Sequence, residues 1–444
     1  MKLFSGLTSL LMLSMLLGAC GSDADATSID TINVEIDGVV SERQVVKLAA
    51  VDMRDSWLPM AVAGFNENSE KYHVVVNYYV DRNIRVNSLA EYDELVDEAM
   101  AQFNIDVAAG NVPDIFMAID NIQTNSYINK RLFADLNEFM NNDPDFDRAD
   151  YLPSLFETFD RNGKMYEITP LVWINAIQAK TVDVGSDAGW TLDEFAAFIE
   201  TKPDAECILG DLTKRDFIIK MTQYLFIDPI TGEIKYDRDE FQKILKVAER
   251  FPADLPHGDD KFRTYGELML GAKDGNPLML PIRVDSFFLP SYWEKLYFGE
   301  EVTIKGWPSP AGNGIRFSPT AYFSILQPAK NSKGAWEFLK YALNNAKCKY
   351  RGLLPMNLSL LDEMVEFDYN AWEELDNRDL AINETDVDKI MALLKSASSL
   401  DRENRAIGKI IDEEIGPYLN GQKPADTVTG IIENRIALYL TEQK

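Results

Sequence analysis

Short apolar runs alternate with stretches of helical spacing along the body of the chain. Residues 45–51 form an apolar run without clean alternation, the pattern of a strand buried on both faces. Residues 57–65 carry apolar side chains at helical spacing, residues 72–79 return to β-branched and aromatic types, and residues 91–109 are helical again up to Gly110. Gly at a helix end with Pro just beyond it marks a stop, so Asn111-Val112-Pro113-Asp114 reads as a turn. Residues 115–119 follow as another buried strand. Strand–helix–strand order at this spacing predicts an α/β layered fold with mostly parallel strands.

The first twenty residues follow a different pattern. Met1-Lys2 precedes an apolar run at 7–17, which closes on Leu17-Gly18-Ala19-Cys20. That run is too short to span a bilayer, so residues 1–19 read as a secretion signal. The ending resembles the lipobox of bacterial lipoproteins. The resemblance implies a diacylglycerol on Cys20 and a protein held by that lipid at the outer face of the cell membrane. A plain signal peptide with an incidental cysteine is the alternative. Residues 20–43 hold many small and acidic residues and read as a tether. Cys207 and Cys348 lie far apart in sequence, and both a disulfide and two buried thiols stay open.

Composition narrows the classes. The 444 residues carry 44 Lys+Arg against 72 Asp+Glu, a net charge of −28, with only two histidines. So acidic a surface is repelled by phosphate backbones, which argues against nucleic acid as a partner. Two imidazoles are too few for a His-rich metal site, and no cofactor is implied. Asp143, Asp145 and Asp147 alternate as in a calcium loop, but Arg148 stands at the glycine position and Ser154 at the final acidic one. Gly312-Asn313-Gly314 is too short for a dinucleotide fingerprint, and neither a Walker loop nor a nucleophile elbow is present.

The stretch Asp106-Val107-Ala108-Ala109-Gly110-Asn111-Val112-Pro113-Asp114-Ile115-Phe116 resembles the signature of family 1 extracellular solute-binding proteins, the receptors of ABC importers. Lys130-Arg131-Leu132-Phe133-Ala134-Asp135-Leu136, Asn162-Gly163-Lys164-Met165-Tyr166, Trp190-Thr191-Leu192-Asp193-Glu194-Phe195 and Gly352-Leu353-Leu354-Pro355 continue that family's order. The resemblance implies an α/β, two-lobe periplasmic-binding-protein type II fold with discontinuous lobes, crossing strands and an interlobe ligand cleft. The N-terminal lobe would comprise 44–171 plus 315–348, and the C-terminal lobe 172–314 plus 349–444. Crossings are expected near 166–178, 308–318 and 348–355. At 177–180 the chain carries Ile-Gln-Ala-Lys where family members often have Tyr-Tyr-Asn-Lys.

A receptor for a neutral hydrophilic ligand must replace water around hydroxyls and cover apolar ring faces, which calls for carboxylates, amides, guanidinium groups and flat aromatics. In open α/β sheets such groups sit in loops beyond the carboxyl ends of strands. Asp52 and Arg54 follow the first strand, where a helix start is the competing reading. Asp120 and Asn121 follow the strand at 115–119, against a reading as simple turn residues. Arg283 and Asp285 end a strand-like run in the other lobe, where mutual pairing on the surface is the alternative. Trp173 and Trp307 are the candidate stacking faces, while Trp57 and Trp336 fit core packing better. Arg402 and Asn404 complete the candidates at the cleft rim. The implied partners are a small carbohydrate ligand, probed as an oligosaccharide, and the permease subunits of an ABC importer, with the receptor acting as a monomer and not as an enzyme. A peptide, polyamine or organophosphonate ligand is the competing receptor reading, and a surface glycoside hydrolase the competing enzyme.

Overall fold

The computed structural model describes residues 29–36, 39–51, 57–81, 84–86, 88–119, 122, 124–210, 212–228, 231, 233–253, 261–346, 352–373 and 381–442. The first sheet holds β1 (Thr31–Ile36), β2 (Val39–Ala50), β3 (Tyr72–Tyr78), β4 (Ile115–Ala118) and β9 (Tyr322–Ile325). Parallel β3 and β4 flank the C-terminal half of β2, and β9 runs antiparallel to β4. The second sheet is built on β5 (Leu171–Lys180), with β6 (Met279–Val284), β7 (Val302–Lys305), β8 (Arg316–Pro319) and β10 (Leu354–Pro355) all antiparallel to it. Among the described strands β11 (Ser399–Leu400) pairs parallel there, on β8. The expectation of mostly parallel strands therefore describes β2, β3 and β4 but not the second sheet, whose central strand is met from both edges by returning chain.

The helix Leu89–Ala108 ends where the left-handed Gly110 (φ 86°) turns the chain, a conformation that costs glycine nothing. Its Phe103 stacks on Phe116 of β4 with ring centroids 4.3 Å apart, tying helix to sheet. The first core continues through Ile174, Val284 and Phe317 of the second sheet, and Leu361, Ile390 and Leu394 of the helices Leu358–Glu373 and Glu384–Ser396 join it. A second core, with Phe195, Phe217, Phe241, Ile407, Ile411 and Ile432, lies among helices on the far side of the second sheet.

Two boundaries differ from expectation. Residues 31–36 and 39–43 are not tether: β1 pairs antiparallel with β2 from Thr31↔Gln44 to Ile36↔Val39. The sequence signal was there, since Asp37-Gly38 stands between β-branched runs, the commonest marker of a tight hairpin. The change from second to first sheet falls at Thr320 and Ala321, not at residue 315, because β8 is held on β5 by the pairs Val172↔Pro319 and Trp173↔Ser318.

Asp114 joins three elements. Its carboxylate accepts the backbone N–H of Lys47 on β2 and of Asn331, each at 2.8 Å. Asn331 in turn caps the helix Ser332–Asn345, accepting from Gly334 N–H, and donates its amide to the Val45 carbonyl. A carboxylate serving two buried N–H groups is worth more than a neutral acceptor. Asp114→Ala should lower the unfolding free energy by about 3 kcal/mol in chemical denaturation, since two N–H groups lose a charged acceptor.

Candidate ligand-binding site

Strand periodicity places Trp173 and Asn175 on one face of β5. Arg283 stands opposite Asn175 in register, and its guanidinium lies 4.2 Å over the Trp173 ring. Arg283 Nε is 3.1 Å from the Asp285 carboxylate, and Nη2 donates to the Gly352 carbonyl at 3.2 Å. Trp173 is half-buried and Arg283 exposed, so this part of the sheet presents an aromatic ring, a cation and an acid together.

Beside them, the Asn175 amide donates to Asp401 at 2.8 Å and to Ser318 at 3.1 Å, and Lys220 lies 3.4 Å from Asp401. Burial alone would raise the Asp401 carboxyl, but Lys220, Asn175 and Arg316 together hold it below the ordinary carboxylate value. Lys220 also sits 4.8 Å over the ring of buried Tyr224, whose other neighbour is the Arg316 guanidinium at 4.1 Å.

A second polar group faces this one from the first sheet's side. Arg402 donates through Nη2 to Glu167 at 3.1 Å and through Nη1 to Thr124 at 3.1 Å, while Thr124 donates to Glu167 at 2.6 Å. Arg161 adds a second cation to Glu167 at 3.3 Å and bonds Asn125. The Arg402 guanidinium also lies 3.9 Å over the ring of Tyr322. Burial opposes its charge, yet Glu167 and Tyr322 raise its pKa above the ordinary arginine value.

Trp173, Arg283 and Asp285 are thus brought together. Trp307 is not part of that face: it is 4% exposed, packs in the second core with its ring 6.1 Å from Tyr224, and cannot offer an open stacking surface. Arg402 and Asn404 are also buried, not at a rim. Arg402 bonds Thr124 and Glu167 through Nη1 and Nη2, and Asn404 caps the helix Arg405–Leu419 by accepting from Ile407 N–H. Asp52, Arg54, Asp120, Asn121 and Cys20 lie outside the described residues. Sequence reading passed over Asn175, Lys220, Glu167 and Asp401. A step of two from Trp173 leads to Asn175, but no local pattern links Glu167 to Arg402, 235 positions away.

The acid of the aromatic face is unusual. Burial pushes Asp285 up to about 6 in spite of Arg283, and pushes nearby Asp368 up to about 6 in spite of the Phe287 and Phe288 N–H groups it accepts. Those two N–H groups open the turn that carries the chain from β6 into the helix Phe288–Trp293.

With this geometry in view, the comparisons are informative. Residues 52–201 match the family model described as bacterial extracellular solute-binding protein. The whole fold is shared with a family 1 extracellular solute-binding protein from Alicyclobacillus acidocaldarius at 14% identity and TM-score 0.57, over 88% of this chain and 97% of that one. The sugar-binding protein MalE from Xanthomonas citri superposes with TM-score 0.54 at 14% identity, over 90% of this chain and 100% of its own. A periplasmic oligogalacturonide-binding protein from Yersinia enterocolitica gives 0.54 at 14% identity, over 90% and 99%. No curated protein matches the chain by sequence. The chain has the α/β type II periplasmic-binding-protein fold of the family 1 extracellular solute-binding proteins and, over residues 52–201, their sequence pattern.

The raised acids give a signed expectation. A carboxyl with a folded-state pKa near 6 and an ordinary value of 3.8 stabilises the fold below about pH 4, and that contribution is lost as pH rises through 6. Asp368→Asn keeps a side-chain oxygen for the two N–H groups. It should match the parent's melting temperature near pH 4 and exceed it at pH 7, read by calorimetry across that range.

Proposed function

We propose that this chain is a lipid-anchored receptor that captures a carbohydrate, an oligosaccharide, between its two sheets and delivers it unaltered to an ABC importer. The observation that carries the reading is the face of the second sheet where Trp173, Asn175, Arg283 and Asp285 converge, a ring bordered by fixed polar groups. Ring faces of sugars stack on such an indole while carboxylates and guanidinium groups replace water at the hydroxyls. The names of two similar structures, a sugar-binding protein and an oligogalacturonide-binding protein, support a sugar ligand here. Asp52, Arg54, Asp120 and Asn121 are proposed to supply the hydroxyl contacts from the first sheet's side. Trp307, Arg402 and Asn404 are left out because core packing, a buried ion pair and a helix cap already employ them.

The ligand binds one side first, and closure brings the other side onto it; only the added contacts favour the closed state. An affinity of order micromolar, about −8 kcal/mol, suits capture followed by release. Attachment is assigned to a lipid on Cys20 because Leu17-Gly18-Ala19-Cys20 resembles a lipobox; among the described residues no helix is long and apolar enough to cross a membrane.

A thermal-shift screen of neutral oligosaccharides, uronates, polyamines, peptides and phosphonates tests the ligand class, because bound ligand raises the melting temperature by mass action. A sugar should raise it and be recovered intact by mass spectrometry. A response confined to the cationic or peptide panels, or a cleaved sugar, would replace this reading. Trp173→Ala should weaken the responding sugar at least about tenfold, the scale expected for losing one buried aromatic anchor. Cys20→Ala should move the protein from the membrane fraction to the soluble fraction on cell fractionation.

A further inference from the structure

The five residues 401–405 join β11 to the helix Arg405–Leu419, and their side chains divide by destination. Asp401 and Asn404 tie the segment to the second unit, meaning the second sheet with the helices packed on it, the first unit being the first sheet with its own helices. Asp401 accepts from Asn175 and Ser318 and pairs with Lys220, and the Asn404 backbone exchanges two bonds with the Gln223 side chain at 3.0 Å. Arg402 and Arg405 leave the second unit. Arg402 reaches Thr124 and Glu167, and Arg405 reaches the helix Leu89–Ala108, with Nε 3.1 Å from Asp93 and Nη1 3.5 Å from Asp97. Asp93 and Asp97 sit one helical turn apart on the same face, so one guanidinium meets both.

Arg405 is badly placed for its own helix. It is the first residue after the Asn404 cap, where the helix dipole disfavours a cation. Its location is accounted for by what it meets across the gap. The two contacts also differ in kind. The Arg402 and Glu167 side chains are each 2% exposed, whereas Arg405, Asp93 and Asp97 are 30%, 24% and 76% exposed. The first is held in the interior; the second is open to solvent and to salt.

We propose that residues 401–405 form a clasp between the two units, in which Arg402–Glu167 is the permanent pin and Arg405–Asp93/Asp97 a releasable catch that biases the molecule toward closure before any ligand arrives. The consequence for uptake rests on the receptor reading: a pre-biased receptor binds its ligand more tightly, and salt that screens the catch weakens that binding.

The clasp itself is tested without ligand. Small-angle scattering of the full chain, carrying Cys20→Ala to stay in solution, should show a smaller radius of gyration at low salt than at high salt. Arg405→Gln should show the larger value at both. Asp93→Asn with Asp97→Asn, which changes only the partner carboxylates, should behave as Arg405→Gln does, and combining all three should add nothing. A profile that ignores salt in the parent, or is the same in parent and variants at low salt, overturns the proposal. In a ligand titration Arg405→Gln should weaken binding about threefold to fivefold, the range of one partly exposed ion pair. A chain that opens in Arg405→Gln yet binds no sugar keeps the clasp and removes only the ligand reading.

Discussion

A guanidinium buried as deeply as that of Arg402 keeps its charge at least cost beside a carboxylate, and Glu167 supplies one from the side of the first sheet. Removing one partner of such a pair costs about 3–5 kcal/mol, whereas a partly exposed pair such as Arg405–Asp93 is worth about 1 kcal/mol or less. The larger number decides what stays fixed. Glu167 lies four residues before β5, beside the place where the chain passes between sheets, and Ile168 pairs with Phe323 there. The strong contact therefore sits near the crossing between sheets and the weak one on a separate helix, the arrangement that the proposed clasp requires.

The elements of the first sheet were legible because each one is locally consistent. The apolar run at 45–51, the helix ending at Gly110 and the strand at 115–119 all coincide with observed elements to within a few residues, apart from the earlier start of β2. Gly110 and Asp114 show why the signature reads as it does: one supplies a left-handed turn, the other a carboxylate for two backbone N–H groups. The pairing of β1 with β2 is faint in the sequence, where one Asp-Gly pair stands in a stretch whose small and acidic residues match a tether.

The candidate site was legible only in part. Trp173, Arg283 and Asp285 could be named as candidates because strands announce themselves, and the structure brings the three side chains together. Which tryptophan stays accessible could not, since Trp307 and Trp173 differ only in what packs over them: Tyr224 and Lys220 in one case, a single arginine in the other. Arg402 and Asn404 were expected at the cleft rim and are instead buried, because their partners Glu167, Thr124 and Gln223 are set by tertiary geometry that no local pattern carries.

The hairpin changes the range over which such a receptor can forage. Were residues 20–43 all slack, a lipid on Cys20 would let the body drift about 80 Å from the bilayer; with the chain already folded from Thr31, the leash is at most about 40 Å. Under the lipid-anchored reading, the sheet that starts at Thr31 would be held within about 40 Å of the bilayer, near any permease embedded in it.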